Sequence, residues 1–104
     1  MPCSKLVRDK IALELMNDNG VVIHRATRDE LDLFLRLKLV EEAIEFALSS
    51  SVEELADVLE VVYAIAKLRG LSIEHIEELR LSKRELRGGF DSGYIVTWLN
   101  KEVC

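Results

Sequence analysis

Glu41-Glu42-Ala43-Ile44-Glu45, then Phe46-Ala47-Leu48-Ser49-Ser50-Ser51-Val52, then Glu53-Glu54-Leu55-Ala56-Asp57, is the stretch that decides the fold. Two acidic clusters of one pattern flank three serines, each set in an otherwise apolar helical sequence. On a helix turning about 100° per residue, Glu42 and Glu45 lie about 60° apart on one face, and so do Glu54 and Asp57. An antiparallel hairpin folded about the serines brings Glu45 level with Glu54 and Glu42 level with Asp57, because each pair is equally far from the turn. Four carboxylates then converge at two heights.

Glutamates three apart are common on solvated helix faces, and Glu53 and Glu54 suit a helix N-terminus. That explains the second cluster but not the first. Glu41, Glu42 and Glu45 sit near the C-terminal end of their helix, where the dipole disfavours anions, and are interleaved with apolar positions. Gathered carboxylates without cations repel and desolvate at a cost of several kcal/mol. A hard divalent cation removes that cost, and all-oxygen ligands select Mg²⁺ or Mn²⁺ over zinc. The expected metal ligands are Glu42, Glu45, Glu54 and Asp57, with Glu41 and Glu53 outside the set.

Working outward, the first acidic cluster belongs to a helix from Thr27 to about Leu48. Thr27 and Glu30 have capping-box spacing at its start. Leu33, Leu37, Val40 and Ile44 cover one side, and Leu35, Leu39, Ala43 and Phe46 another, so it needs neighbours on two sides. The serines supply caps for the next helix, Val52 to Arg69, through Ser50 with Glu53 or Ser51 with Glu54. That helix ends at Gly70, and its middle, Val58 to Ala66, is apolar enough for the centre of a bundle. A first helix is expected over Ser4 to Asn17, capped by Ser4 and stopped by Asn19-Gly20 with Gly20 left-handed. A fourth is expected over Ile73 to Arg87, capped by Ser72 and ended by Gly88-Gly89. Val21 to Ala26 and Tyr94 to Leu99 carry β-branched or aromatic residues and could pair as a short β-ribbon. The expected fold is all-α, a four-helix-type bundle in a single domain over residues 1–104.

Composition narrows the function classes. The 104 residues carry a formal net charge of −5, which argues against non-specific nucleic-acid binding. No apolar run is long enough to span a membrane, and no secretory signal is evident, so a cytoplasmic protein is expected. Cys3 and Cys104 make no metal-site spacing and read as reduced thiols. The basic residues are unevenly spread. Lys83 and Arg87 share one face of the last helix, ahead of Gly88-Gly89-Phe90, where glycines let backbone N–H groups approach an anion. A solvated face with charge suited to a helix C-terminus explains that pair equally well.

The pattern Glu41-Glu42-x-x-Glu45 followed by Glu54-x-x-Asp57 resembles the signature of the all-α nucleoside triphosphate pyrophosphohydrolases, the MazG-like and phosphoribosyl-ATP pyrophosphohydrolase superfamily. The opening Lys5-Leu6-Val7-Arg8-Asp9-Lys10-Ile11 and the closing Lys83-x-x-x-Arg87-Gly88-Gly89-Phe90 look like a compact subgroup of it. The resemblance implies that Glu42, Glu45, Glu54 and Asp57 ligate Mg²⁺. It implies hydrolysis between the α- and β-phosphates of a nucleotide, giving a monophosphate and pyrophosphate. Glu42, or Glu41 beside it, would orient or deprotonate the attacking water. Lys83 and Arg87 would hold phosphate oxygens, with Lys5 and Arg8 as further candidates. A homodimer or homotetramer is implied too, in keeping with the two-sided apolar helices. Three functions follow: a house-cleaning pyrophosphatase, phosphoribosyl-ATP hydrolysis, and a non-catalytic nucleotide-binding or oligomerisation module. Phosphoribosyl-ATP pyrophosphohydrolases tend to carry a Tyr-His pair soon after the aspartate. Here Asp57 is followed by Val58-Leu59-Glu60-Val61, which favours the first.

Overall fold

A computed structural model describes residues 3–100. All regular structure among them is helical: α1 (Asp9–Leu15), α2 (Arg28–Ser49), α3 (Val52–Leu68) and α4 (Ile73–Arg87). The chain divides into two compact units, one up to Ile73 and one from Glu74.

The first unit is built on the α2–α3 pairing, its principal helix contact. The capping box forms as expected: Glu30 N–H donates to Thr27 Oγ1 at 3.2 Å, and Thr27 N–H donates to Glu30 Oε1 at 2.9 Å. Two orphan donors of the first turn are thereby satisfied. The serine turn is as short as a helical hairpin allows. Ser50 is left-handed, at φ 52° and ψ 23°, and its N–H reaches Phe46 O at 2.7 Å. Ser51 caps α3 by accepting from Glu53 N–H at 3.2 Å, so the cap bridges two residues and not the three of a capping box. At the far end of α3, Gly70 has φ +67°. Leu71 N–H bonds Ala66 O at 2.9 Å, and Gly70 N–H bonds Lys67 O at 3.2 Å. This is the Schellman arrangement, which needs a residue free to be left-handed.

The open end of the hairpin is tied by side chains. Arg69 at the C-cap of α3 grips Asp32 of α2 with both forks, at 2.9 and 3.2 Å, and Arg28 Nη2 donates to Leu68 O at 3.1 Å. The apolar core is thin: among the described residues only Leu35, Val61 and Ala66 are buried hydrophobics. Of the two apolar sides expected on α2, the one bearing Leu35 is turned inward. Leu33, Leu37, Val40 and Ile44 remain exposed, as do Val52, Leu55, Leu59 and Tyr63 of α3.

Three expectations fail. The first helix starts at Asp9 and not at Ser4, with Arg8 in extended conformation at its N-cap (φ −64°, ψ 150°). Residues 4–7 are outside any helix, because Lys5 and Arg8 are drawn to acids of α2 and α3 rather than to a local helical register. Gly20 is not left-handed. Asp18 shapes that turn instead, its Oδ1 accepting from Gly20 N–H at 2.8 Å. Neither Val21–Ala26 nor Tyr94–Leu99 forms a strand. β-Branched content does not make a ladder where no edge offers itself.

In the second unit, α4 ends at Gly88, which takes φ +83° while its N–H bonds Arg84 O at 2.7 Å. Arg84 Nη2 then reaches Asp91 at 2.7 Å. Gly89 makes room for that guanidinium: a Cβ there would stand 2.1 Å from Arg84 Nη1. Gly88 therefore serves the left-handed turn, and Gly89 accommodates an arginine of the same helix. Among the described residues no helix is long and apolar enough to cross a membrane.

Candidate metal centre

The hairpin gathers the acids as its register requires. Oxygens of Glu42, Glu54 and Asp57 lie within 4.8 Å of one another, and so do oxygens of Glu41, Glu42 and Glu45. Glu42 belongs to both triads and is the most deeply placed, only 7% exposed. Glu45 and Glu54 come close at the second level, near enough for each charge to bear on the other. All four expected ligands thus meet in one cluster. Glu41, expected outside it, is inside. Its position about 40° past Glu45 leaves it close enough for a flexible side chain to reach back. Glu53 forms no part of either triad.

The electrostatics are those of crowded carboxylates. Burial pushes the Glu54 carboxyl above its ordinary value, and the charges of Glu45, Asp57 and Glu42 push the same way. Glu41 goes the other way. Burial raises it, but the hydrogen bond to Lys5 and the charges of Lys38 and Lys5 outweigh burial, and its carboxyl is lowered.

Three cations attend the cluster. Lys38 Nζ lies 3.3 Å from Glu42 Oε1 and 3.5 Å from Glu41 Oε1. Lys5 Nζ lies 3.3 Å from Glu41 Oε1, and Arg8 Nη2 lies 2.6 Å from Asp57 Oδ1. Lys5 and Arg8, expected as phosphate contacts, are thus engaged with the acids themselves. Lys38 was missed, although its place three and four residues before Glu41 and Glu42 is the standard spacing for an ion pair on a helix. Five carboxylates against three cations leave two negative charges unmatched when all are ionised.

The donor set fits a hard divalent cation. Glu42 Oε2 and Glu54 Oε2 are buried and have no hydrogen-bond partner. A buried carboxylate oxygen left without a donor is costly, and the commonest remedy in an all-oxygen cluster is a cation. Each of Glu42, Asp57 and Glu41 gives one oxygen to a basic side chain, which leaves the other for a ligand.

A cleft of about 660 Å³ opens beside the acids. Glu42, Asp57, Lys38 and Arg8 line it together with Leu31, Leu35, Val61, Ala64 and Leu68, while Leu6 and Val7 come from the N-terminal segment. Lys83 and Arg87 stand on α4 in the second unit, exposed and without an ion-pair partner among the described residues. Cys3 is an exposed free thiol, and Cys104 lies outside the described residues. No protein-family model, curated protein or solved structure matches this chain.

Proposed function

We propose that the protein is a Mg²⁺-dependent nucleotide pyrophosphohydrolase of the MazG-like type, cleaving nucleoside triphosphates to a monophosphate and pyrophosphate. The observation that carries this reading is the buried, unpartnered pair Glu42 Oε2 and Glu54 Oε2 within carboxylates drawn from both helices. It is supported by the motif order along the chain and by a cleft of small-molecule size alongside.

Glu42, Glu45, Glu54 and Asp57 would hold the cation. Bound there, Mg²⁺ or Mn²⁺ supplies charge neutralisation at phosphate oxygens that the acids would otherwise repel. The chain's own residues do the rest. Glu41, beside Glu42 and within the same acid triad, accepts a proton from the attacking water. The water oxygen bonds to the α-phosphorus as the bond from that phosphorus to the bridging oxygen breaks, and pyrophosphate leaves with the bridging oxygen. Lys38 keeps Glu41 and Glu42 side by side, so one carboxylate serves the proton and its neighbour the cation. The exposed apolar stripes of α2 and α3 support assembly as a homodimer or homotetramer that covers them.

The test is incubation with Mg²⁺ and a panel of nucleotides including phosphoribosyl-ATP, with pyrophosphate resolved from orthophosphate. Pyrophosphate and a monophosphate are expected from nucleoside triphosphates. Turnover of phosphoribosyl-ATP alone would move the assignment to that reaction. Glu45→Gln and Asp57→Asn should each abolish Mg²⁺-dependent turnover with the helical circular dichroism unchanged, and wild-type activity in either would sink the metal assignment. A second reading has its own observation: Lys5, Arg8 and Lys38 already pair with the acids, as in a purely structural ion network. Calorimetric titration separates the two, because a structural network binds no Mn²⁺.

A further inference from the structure

The cleft runs well past the acids. The antiparallel register that sets Glu42 against Asp57 also sets Lys38 against Val61, Leu35 against Ala64 and Leu31 against Leu68, and all eight residues line it. From Glu42 to Leu31 is about 16 Å along the helix axis at about 1.5 Å per residue. Leu35 and Val61 are buried and make the floor, while Leu31, Ala64 and Leu68 are half-buried along it. The acid end is closed over by the N-terminal segment, tied down through Lys5–Glu41 and Arg8–Asp57. Glu60, three residues past Asp57 on α3, adds another acid near that end; past the Lys38–Val61 level the one charged side chain that the two helices bring to the lining is Lys67, a flexible stem with a point charge. The result is a trough that is ionic at one end and hydrocarbon at the other.

We propose that this trough is the nucleoside subsite, with the phosphates at the Glu42–Asp57 end and the sugar and base laid against Leu31, Leu35, Ala64 and Leu68. The base is held by its faces and not by hydrogen bonds to its edge. This rests on the pyrophosphohydrolase reading and adds to it a direction of binding and a rule of selectivity. A nucleotide has the matching polarity: a polyanion that meets carboxylates through a shared divalent cation, and a flat ring that gains by leaving water.

Selectivity follows from what the hydrocarbon end lacks. A site built to hydrogen-bond a substrate group rejects analogues without it by about 10⁴–10⁵-fold, whereas an apolar pocket separates ligands by only about 10–200-fold. With leucine and alanine facing the base, the four common nucleoside triphosphates should differ by less than about 100-fold in kcat/KM. Bases with altered edges should fall in the same range.

The experiment pairs that panel with Ala64→Phe, which fills the hydrocarbon end some 10 Å along α3 from Asp57 (seven residues at about 1.5 Å each). Expected are a KM at least tenfold higher for every nucleotide, with Mn²⁺ affinity and inhibition by inorganic tripolyphosphate within twofold of wild type. An unchanged KM in a folded variant, or a spread beyond 1,000-fold (about 10³) among bases in the wild type, overturns the proposal. The wild-type panel stands even if Ala64→Phe does not fold. If wild type binds Mn²⁺-nucleotide without releasing pyrophosphate, the catalytic reading fails. The subsite is then judged on binding constants in place of KM. Methyl resonances of Leu31, Leu35 and Leu68 should shift on adding Mg²⁺-nucleotide. Shifts that follow protein concentration instead would make the trough a contact between copies and overturn the proposal.

Discussion

Replacing Lys38 by methionine removes one charge from beside Glu42 and keeps the apolar stem. Glu42 is then a buried carboxylate that has lost its ion-pair partner. The Lys38 side chain is 18% exposed, so the pair is nearly but not wholly desolvated. Removing one partner of a buried pair costs about 3–5 kcal/mol, and residual access to water puts Lys38 at the lower end, about 3 kcal/mol. Unfolding entropy near 2.1 cal/mol/K per residue over a chain of this length converts that to a fall in Tm of about 14 °C. The loss should be conditional. The double variant Lys38→Met/Glu42→Gln, which leaves no unpaired charge at position 42, should recover most of it. Added Mn²⁺ should raise the Tm of Lys38→Met more than that of wild type, because the cation supplies what the lysine no longer does. Thermal melts by circular dichroism for wild type, both single variants and the double variant close the cycle. A Lys38→Met variant within about 0.5 kcal/mol of wild type, or a double variant no better than the single, would refute the claim that Glu42 depends on Lys38.

Three further outcomes can be checked on the same footing. Ser50→Gly relieves a left-handed residue at φ 52° and should stabilise by about 0.5–1 kcal/mol, read as a higher urea midpoint with unchanged slope. One residue inserted between Ser50 and Ser51 should weaken Mn²⁺ binding in calorimetry while lowering Tm only slightly, since it disturbs the register of the acids before it disturbs the helices. The hydrogen bond from Arg69, aided by its charge and by Arg36 against the opposing effect of burial, holds the Asp32 carboxyl below its ordinary value of 3.8. A depressed carboxyl stabilises the fold above the unfolded-state value and loses that contribution as pH falls through the folded-state value. The Tm gap between wild type and Asp32→Asn should therefore be full at neutral pH and close only below about pH 4.

Much of the hairpin is legible in the chain because its determinants are local. Thr27 with Glu30, the serine triplet and Gly70 each act within a few residues, and the acid alignment follows from helix period and turn position alone. What the sequence hides is non-local. Nothing near Ser4 says that Lys5 and Arg8 will leave a helix to reach Glu41 and Asp57, 36 and 49 residues away. Val21–Ala26 and Tyr94–Leu99 have strand-like composition, but pairing needs a partner edge that composition does not supply. Gly20 reads as a helix stop by residue type, whereas the neighbouring Asp18 side chain takes that role. Lys38 is legible by the same local rule, three and four residues before Glu41 and Glu42 on one helix face.

Every carboxylate of the cluster comes from one hairpin of one chain. In any assembly of this protein, each subunit therefore carries its full complement of acids or none. Glu45→Gln and Asp57→Asn lie on the two arms of that hairpin, so subunits mixed from the two inactive variants cannot complement each other. Mixtures of wild-type and inactive chains should lose turnover in direct proportion to the inactive fraction.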